Sequence, residues 1–227
     1  MKRLGLGALA LLVFASLVSL GIWQLERRQW KLALIEQVDR RLAAPPIPAP
    51  APASWPRIGR GDAYSRVTVH GTLDDDRDTL VQAVTALGPG YWVMTPLTTD
   101  RGFTVLVNRG FVPTDRKSRY ARVPGPVTIT GLLRVSEPKG GFLRSNDPAA
   151  GRWYSRDVAA IAAAKSLGPV APYFIDADAA SGPSWPRGGL TVVAFPNSHL
   201  QYALTWFVMA ALFAGVCLRM ALRRKAP

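Results

Sequence analysis

His199 is the residue of this sequence whose type and position could support the most specific chemistry. It stands at the start of the second of two uncharged segments, and an ionisable side chain at a membrane boundary indicates a function. On a helix, at about 100° per residue, Tyr202, Trp206, Met209 and Phe213 fall within about 80° of His199. This stripe would suit an iron porphyrin, because imidazole is a common axial ligand and aromatic rings pack on the macrocycle. The pattern also fits an interfacial histidine above ordinary lipid-facing or helix-facing aromatic residues.

A second group of candidate ligands follows the first uncharged segment. Gln24, Arg27 and Lys31 repeat at helical spacing directly after Trp23. Their guanidinium and ammonium groups could pair with haem propionates, since arginine binds carboxylates strongly. They could equally pair with lipid phosphates. The candidate cofactor-binding residues from spacing are therefore Gln24, Arg27, Lys31, His199, Tyr202 and Trp206, with His199 as the candidate ligand of a haem iron. Trp23, Tyr202 and Trp206 also fit an interfacial aromatic belt.

The composition excludes many other kinds of site. The sequence has one cysteine and two histidines, so one copy cannot form a disulfide, a CxxC redox motif or an all-histidine zinc site. The motifs HExxH, GxSxG, GxxxxGK[ST] and GxGxxG are absent. Of the formal net charge of +13, the two tails carry +6, in the pattern of membrane anchors, and the segment between the two spans carries +7. We therefore expect neither an enzyme nor a nucleic-acid-binding protein.

Two uncharged segments, 4–23 and 200–218, predict transmembrane helices, because about 20 apolar residues cross about 30 Å of hydrocarbon. The first is too long for a usual signal peptide and lacks a clear cleavage site, so we expect it to be retained. The basic tail 219–227 places the C-terminus in the cytoplasm. Two spans then place the N-terminus, 1–3, there as well. We therefore expect a multi-pass protein of the bacterial inner membrane whose central part is periplasmic and which contacts membrane lipids.

The central part divides into three segments by composition. Residues 24–44 are rich in helix formers and predict a helical stem. Residues 45–59 are rich in proline and predict a stiff spacer. Residues 60–199 alternate apolar and polar residues, which predicts a periplasmic β-rich domain. The expected fold class is an α+β membrane protein in which two transmembrane helices flank a mainly antiparallel, barrel-like β domain with one packed helix.

Seven β-strands and one helix are predicted within that domain. The helix should run from Ser155, as its N-cap, to Leu167. The strands are bounded by Gly, Pro and Asp turns and cover 66–71, 79–84, 91–97, 103–112, 127–135, 172–178 and 190–195.

Several longer sequence motifs resemble those of one known family. LGIWQLERRQWK follows the first span, LVNRGFVP, NDPAAGRWYSRDVAAIAAA and PYFIDAD follow in the central part, and PNSHLQYALTWF opens the second span. In this order they resemble the surfeit locus protein 1 family, the Shy1-like assembly factors of haem–copper cytochrome c oxidase. The resemblance covers about residues 1–222 and leaves the proline-rich segment unmatched.

The resemblance implies an assembly factor that binds haem a transiently and assists its delivery to the catalytic subunit of cytochrome c oxidase. The enzyme that synthesises haem a is a further candidate partner. In the family pattern NxHLxYxxTW the proposed haem ligand corresponds to His199. The pattern GxWQLxRxxWK corresponds to Gly21, Trp23, Gln24, Leu25, Arg27, Trp30 and Lys31. The alternative is a membrane scaffold that binds the nascent oxidase subunit without contacting haem.

Overall fold

The structure, a computed structural model, describes residues 2–141, 143–180 and 184–223. The chain forms two compact units, one from Met1–Gln37 with Ala194–Pro227 and one from Val38–Val193. In chain order the described elements are α1 (Lys2–Ala43), β1 (Ile47–Pro48), β2 (Arg66–Leu73), β3 (Thr79–Thr85), β4 (Gly88–Thr99), β5 (Thr104–Pro113), β6 (Pro126–Val135), α2 (Val158–Ala164), β7 (Val170–Ala177) and α3 (His199–Arg223).

Helices α1 and α3 are both long and apolar enough to cross a membrane. Helix α1 covers the predicted span and the predicted stem without a break, and it ends shortly before Pro45 and Pro46. Proline cannot donate a backbone hydrogen bond, so this is where the helix must stop. Most large apolar side chains of both helices are exposed in the isolated chain, as expected for surfaces that lipid covers. These two helices indicate a membrane protein.

Five strands of the second unit close into a barrel. They pair in the order β2-β6-β7-β5-β4, and β4 pairs back to β2. Within this ring only the β5–β7 pair is parallel. Strand β3 extends the sheet beyond β4, and the short β1 pairs in parallel with β2. The expected mainly antiparallel, barrel-like domain is confirmed.

The domain has one core inside the barrel and a second core under α2. On β5, Val105 and Val107 belong to the inner core, whereas Leu106 belongs to the outer one, because successive strand residues point to opposite faces. The outer core also contains Val158 and Ile161 of α2, which are almost completely buried. Each such buried side chain contributes about 1.5–3 kcal/mol to folding. The helix is thereby fixed against the outer face of the barrel, as expected.

The start of α2 differs from the sequence prediction. The N-cap is Asp157, whose carboxylate accepts a hydrogen bond from Ala160 N at 3.1 Å. Ser155 is buried, and its hydroxyl accepts hydrogen bonds from Gly140 N and the Asn146 side chain instead. The helix is therefore shorter than predicted, because an aspartate two residues later satisfies its first free N–H groups.

The proline-rich segment is not a free spacer, which corrects the sequence prediction. Ala49 is buried, and the hydroxyl of Tyr173 donates to the Pro50 carbonyl at 2.7 Å. The Trp55 ring packs edge-to-face on Phe103, with ring centroids 5.9 Å apart. The segment lies on the barrel because its alanines and its tryptophan provide apolar surface that a polyproline spacer would leave in water.

The strand predicted over residues 190–195 is also wrong. The segment forms no β-pairing with any residue that the structure describes, although its composition is typical of a strand. The composition of a segment indicates that it can be extended, but pairing also requires a free sheet edge in register. The other six predicted strands correspond to β2–β7.

The carboxyl group of Asp78 gives the domain an expected pH dependence. Burial raises the pKa of Asp78, and this effect outweighs the hydrogen bonds from Thr95 and Tyr120 and the charge of Arg109. A raised pKa means that the folded state favours the protonated form. The stabilising contribution of Asp78 is therefore present below the unfolded value of 3.8 and is lost as the pH rises through the folded pKa.

We predict that Asp78→Asn raises the melting temperature relative to the parent protein more at about pH 7 than at about pH 4. The amide keeps the shape and carries no buried charge, so only the parent gains stability on protonation. Thermal unfolding of the full chain in detergent, followed by circular dichroism across this pH range, measures the difference. If the difference in melting temperature between Asp78→Asn and the parent stayed constant with pH, or grew on acidification, it would contradict a raised pKa of Asp78.

Candidate cofactor-binding site

The candidate site lies where α1 and α3 meet in the first compact unit. The helices are antiparallel, since Lys31, Gln24 and Gly21 of α1 are near Pro196, His199 and Phe207, respectively.

A close approach at Gly21 determines how the two helices pack. A Cβ atom added at Gly21 would lie 2.5 Å from Phe207 Cε1, so any side chain there would displace the phenyl ring. The buried residues of α3 are Ala203 and Ala210. They lie four residues before and three residues after Phe207, and therefore on the same face of the helix. Small residues at such a crossing let helices approach closely in a membrane. The crossing then helps to bring Gln24, three residues after Gly21, close to His199, eight residues before Phe207.

His199 and Gln24 are the predicted site residues that the structure joins directly. His199 Nδ1 is 2.7 Å from Gln24 Oε1, and the contact is partly buried. Because Gln24 Oε1 is only an acceptor, the hydrogen bond requires a proton on Nδ1. In the neutral ring, Nε2 then carries the lone pair that can bind a metal ion. This is the arrangement that metal-binding histidines usually have, with the second ring nitrogen held by an oxygen acceptor.

Lys31 makes a contact that its spacing did not indicate. Its Nζ donates a hydrogen bond to the carbonyl oxygen of Pro196, just before α3. The ammonium group therefore connects α1 to the entrance of α3, and this contact lies close to His199. Sequence analysis missed it because a backbone carbonyl leaves no signal in the residue types.

Arg27 and the aromatic residues remain available to a ligand. The Arg27 guanidinium lies over the Trp30 ring at 3.8 Å from its centroid, a cation–π contact between residues at i and i+3. Trp23 and Tyr202 are more than half exposed, and Trp206 is partly buried. The structure places these side chains on the same pair of helices as His199. Trp30 belongs to the pattern GxWQLxRxxWK, but the sequence did not predict its cation–π contact with Arg27.

The arrangement fits one axial ligand to a porphyrin iron. Among the described residues no group of three or more His, Cys, Asp and Glu side chains could hold a bare metal ion. One oriented imidazole, exposed aromatic rings and a guanidinium are instead a donor set for a flat apolar group with carboxylate substituents. The fit of these residues to a porphyrin iron depends on the hydrogen bond by which Gln24 orients the His199 ring.

Comparison with known proteins gives one consistent family. The family model described as "SURF1 family" matches residues 11–211. "Surfeit locus protein 1" of Mus musculus is 36% identical over 222 residues, covering 88% of this chain and 71% of that protein. The Homo sapiens protein of the same name is 34% identical over 223 residues, covering 88% and 72%. The Takifugu rubripes protein of that name is 33% identical over 224 residues, covering 88% and 90%. These matches confirm the family resemblance that was inferred from the sequence motifs.

The hydrogen bond at His199 can be tested without any cofactor. Gln24→Leu removes the acceptor while keeping a side chain of similar size. A hydrogen bond contributes about 0.5–1.5 kcal/mol, so the fraction of His199 protonated at Nδ1 should fall about two- to twelve-fold relative to the Nε2 form. ¹⁵N NMR of the histidine ring in detergent, in a His70→Ala background, measures the two tautomers.

Gln29→Leu is the matched control, because Gln29 is an exposed residue of the same helix. It should leave the tautomer ratio unchanged. The same ratio in the parent protein and in Gln24→Leu would show that this hydrogen bond does not orient His199.

Proposed function

The chain belongs to the SURF1 family, and we propose that it binds haem a and assists its delivery to the catalytic subunit of cytochrome c oxidase. Family membership supports the coarser statement that the protein is an assembly factor for this oxidase, and it favours assembly over catalysis. The proposal adds the cofactor, the ligand and the receiving subunit.

The observation that supports haem binding is the contact of 2.7 Å between His199 Nδ1 and Gln24 Oε1. Bound haem a would supply an iron centre that accepts an imidazole nitrogen. His199 would hold the iron through Nε2, which the hydrogen bond leaves unprotonated. Gln24 would keep the ring in this tautomer and limit its rotation.

The neighbouring residues would hold the rest of the group. The exposed rings of Trp23 and Tyr202, and the partly buried ring of Trp206, would pack on the macrocycle. Arg27 would bind a propionate, because it is an exposed residue whose guanidinium lies over the Trp30 ring. Lys31 is the weaker candidate for a propionate, since its ammonium group already donates to a backbone carbonyl.

Delivery requires a site that releases what it binds. A single protein ligand and an open, exposed set of rings provide fewer contacts than an enclosed pocket would. The receiving subunit could therefore compete for the cofactor by offering a second ligand and more burial. A carrier of this kind would act by holding haem a at the membrane boundary until that subunit arrives.

We also propose that the protein resides in a bacterial inner membrane with its β domain in the periplasm. The support is the charge pattern of the sequence, in which four basic residues follow the second span. In this arrangement His199 would lie at the outer boundary of the membrane.

His199→Ala should give a protein that accumulates in the membrane but purifies with little haem. The loss of a protein ligand removes the bond that retains the iron, and the apolar segment after residue 199 remains long enough to insert. The measurement is the ratio of Soret absorbance to protein in material purified from cells that synthesise haem a. We expect a reduction of about ten-fold or more, since a lost bond of 1.4 kcal/mol already changes an equilibrium ten-fold.

His70→Ala is the matched control, because His70 is the other histidine and is an exposed residue of β2 that faces Asp100. It should keep the parental haem content. Parental haem content in a stably inserted His199→Ala protein would reject ligation by His199. It would leave the alternative of a membrane scaffold that binds the oxidase subunit without contacting haem.

The proposed topology predicts the behaviour of reporter fusions. A reporter that is active only in the periplasm should be active when it is fused after Pro113, at the end of β5. The same reporter fused after Pro227 should be inactive, because the basic tail would stay in the cytoplasm. Activity of the Pro227 fusion would reverse the proposed orientation of the second span.

A further inference from the structure

The β domain contains a second concave site, which we call the arginine pocket. It is a cavity of about 490 Å³, a size that is ordinary for ligand sites. Arg134, Arg156 and Asp176 line its charged part, and Val84, Leu87 and Val192 are exposed apolar residues around it. Exposed apolar residues that border a pocket with buried charges are typical of a binding site.

The charged part of the pocket is a network around one buried carboxylate. Asp176 is 3% exposed. Its Oδ1 accepts from Asn108 Nδ2 at 2.8 Å and from Arg156 Nη1 at 3.1 Å. Its Oδ2 accepts from Arg134 Nη1 and from Thr191 Oγ1, both at 2.9 Å. Both oxygens of Asp176 therefore already accept their full number of hydrogen bonds.

The two arginines retain unused donors. Arg156 donates through Nε and Nη2 to Glu137 and through Nη1 to Asp176. Arg134 donates through Nη1 to Asp176, and its Nη2 lies 3.5 Å from Glu137. A guanidinium has more N–H groups than these contacts use. Among the charged side chains that line the pocket, the remaining hydrogen-bonding capacity thus belongs to donors, and a ligand that binds to them has to supply acceptors.

The guanidinium groups are charged and held in place. Burial opposes the charge of Arg156, but the hydrogen bonds and charges of Glu137 and Asp176 outweigh it, so the pKa of Arg156 lies above its ordinary value. Arg134 lies 5.0 Å from the centroid of the Tyr64 ring. Donors that are fixed in this way lose little conformational entropy when a ligand binds.

A small anion alone would gain little in this pocket. The charges of Arg134 and Arg156 are balanced by those of Asp176 and Glu137, so the cluster attracts anions only weakly at a distance. Affinity must therefore come from short hydrogen bonds combined with apolar contact. The ligand class that offers both is a carboxylate attached to an apolar body.

The chain segment beside the pocket indicates that this body is a peptide. Residues 190–193 form no backbone hydrogen bond with any part of the chain that the structure describes. Their sequence, LTVV, favours an extended conformation. Leu190, Thr191 and Val192 also line the arginine pocket. An extended segment with unpaired N–H and C=O groups is a template for another strand.

We propose that the arginine pocket and residues 190–193 form a binding site for an extended peptide that ends in an apolar residue and a free C-terminal carboxylate. The carboxylate accepts hydrogen bonds from Arg134 and Arg156. The last side chain contacts Val84, Leu87 and Val192, and the peptide backbone pairs with residues 190–193. This mode combines strand addition with carboxylate capture. It is independent of haem and goes beyond the proposed function.

The test uses an acetylated tetrapeptide of alternating threonine and valine that ends in valine with a free carboxylate. The matched probe is the same peptide with a C-terminal amide. Binding to the full chain in detergent is followed by the indole N–H resonance of Trp92, which lines the pocket. We expect the free acid to bind at least about ten-fold more tightly than the amide, because charged hydrogen bonds are the stronger ones.

Three variants separate effects on the pocket from general effects on the protein. Val192→Asp should lower the affinity for the free acid about ten-fold or more, since it adds a negative charge beside the carboxylate. Val192 is 84% exposed, so this change should not affect folding. Leu143→Asp, at a residue that is 89% exposed and does not line this pocket, should leave the affinity unchanged. Arg134→Gln should abolish the preference for the acid over the amide.

Three outcomes would overturn the proposal. The first is equal affinity for the acid and the amide, and the second is the absence of any Trp92 shift with either peptide. The third concerns octanoate, which has a carboxylate and an apolar chain but no peptide backbone. Octanoate binding as tightly as the peptide acid would exclude the strand pairing with residues 190–193.

Discussion

The hydrogen bond between His199 Nδ1 and Gln24 Oε1 is the interaction on which the chemistry of the membrane unit depends. It exists because Gly21 lets Phe207 approach α1, which places the two polar side chains opposite one another. It also determines which nitrogen of the imidazole is free. A histidine at the same position with Nε2 protonated would offer the wrong atom to an iron centre. The packing of two apolar helices thus determines the chemical state of one ring.

The same principle holds for the β domain, where internal hydrogen bonds determine what remains for a ligand. Asp176 receives donors from β5, β6, the segment before α2 and the segment after β7. A buried carboxylate is costly unless it is fully paired. Because the pairing is complete, the carboxylate has no acceptor capacity left, and the arginines that pair with it keep donors. The residues that stabilise the buried Asp176 are thereby the same residues that offer hydrogen-bond donors to a ligand.

The sequence predicts much of the fold because the patterns are strong and local. The two apolar segments and six alternating segments correspond to α1, α3 and β2–β7. The sequence also predicts that His199 is a site residue, since an imidazole at the start of an apolar helix is unusual. It does not predict the hydrogen bond to Gln24, which joins side chains 175 positions apart. The carbonyl partner of Lys31 and the cluster around Asp176 were missed for the same reason, because pairing between distant elements leaves no spacing signal.

The proline-rich segment and residues 190–195 show where composition misleads. Six prolines between residues 45 and 56 favour an extended spacer, yet Ala49 and Trp55 bind this segment to the barrel. Residues 190–195 have the composition of a strand, but they form no β-pairing with the residues that the structure describes. Within the proline-rich segment Ile47–Pro48 form a short strand, whereas Pro52–Arg57 form a 3₁₀ helix. What the backbone contacts is decided by surfaces that only the folded barrel creates.

The central claim is that His199 binds iron through Nε2, and it can be measured directly. In a His70→Ala background His199 is the one remaining histidine, so labelling with ¹⁵N-histidine marks a single ring. Electron–nuclear double resonance of the oxidised, haem-loaded protein should then show one strongly coupled ¹⁵N nucleus. Bound haem without any strongly coupled histidine nitrogen would contradict ligation by His199.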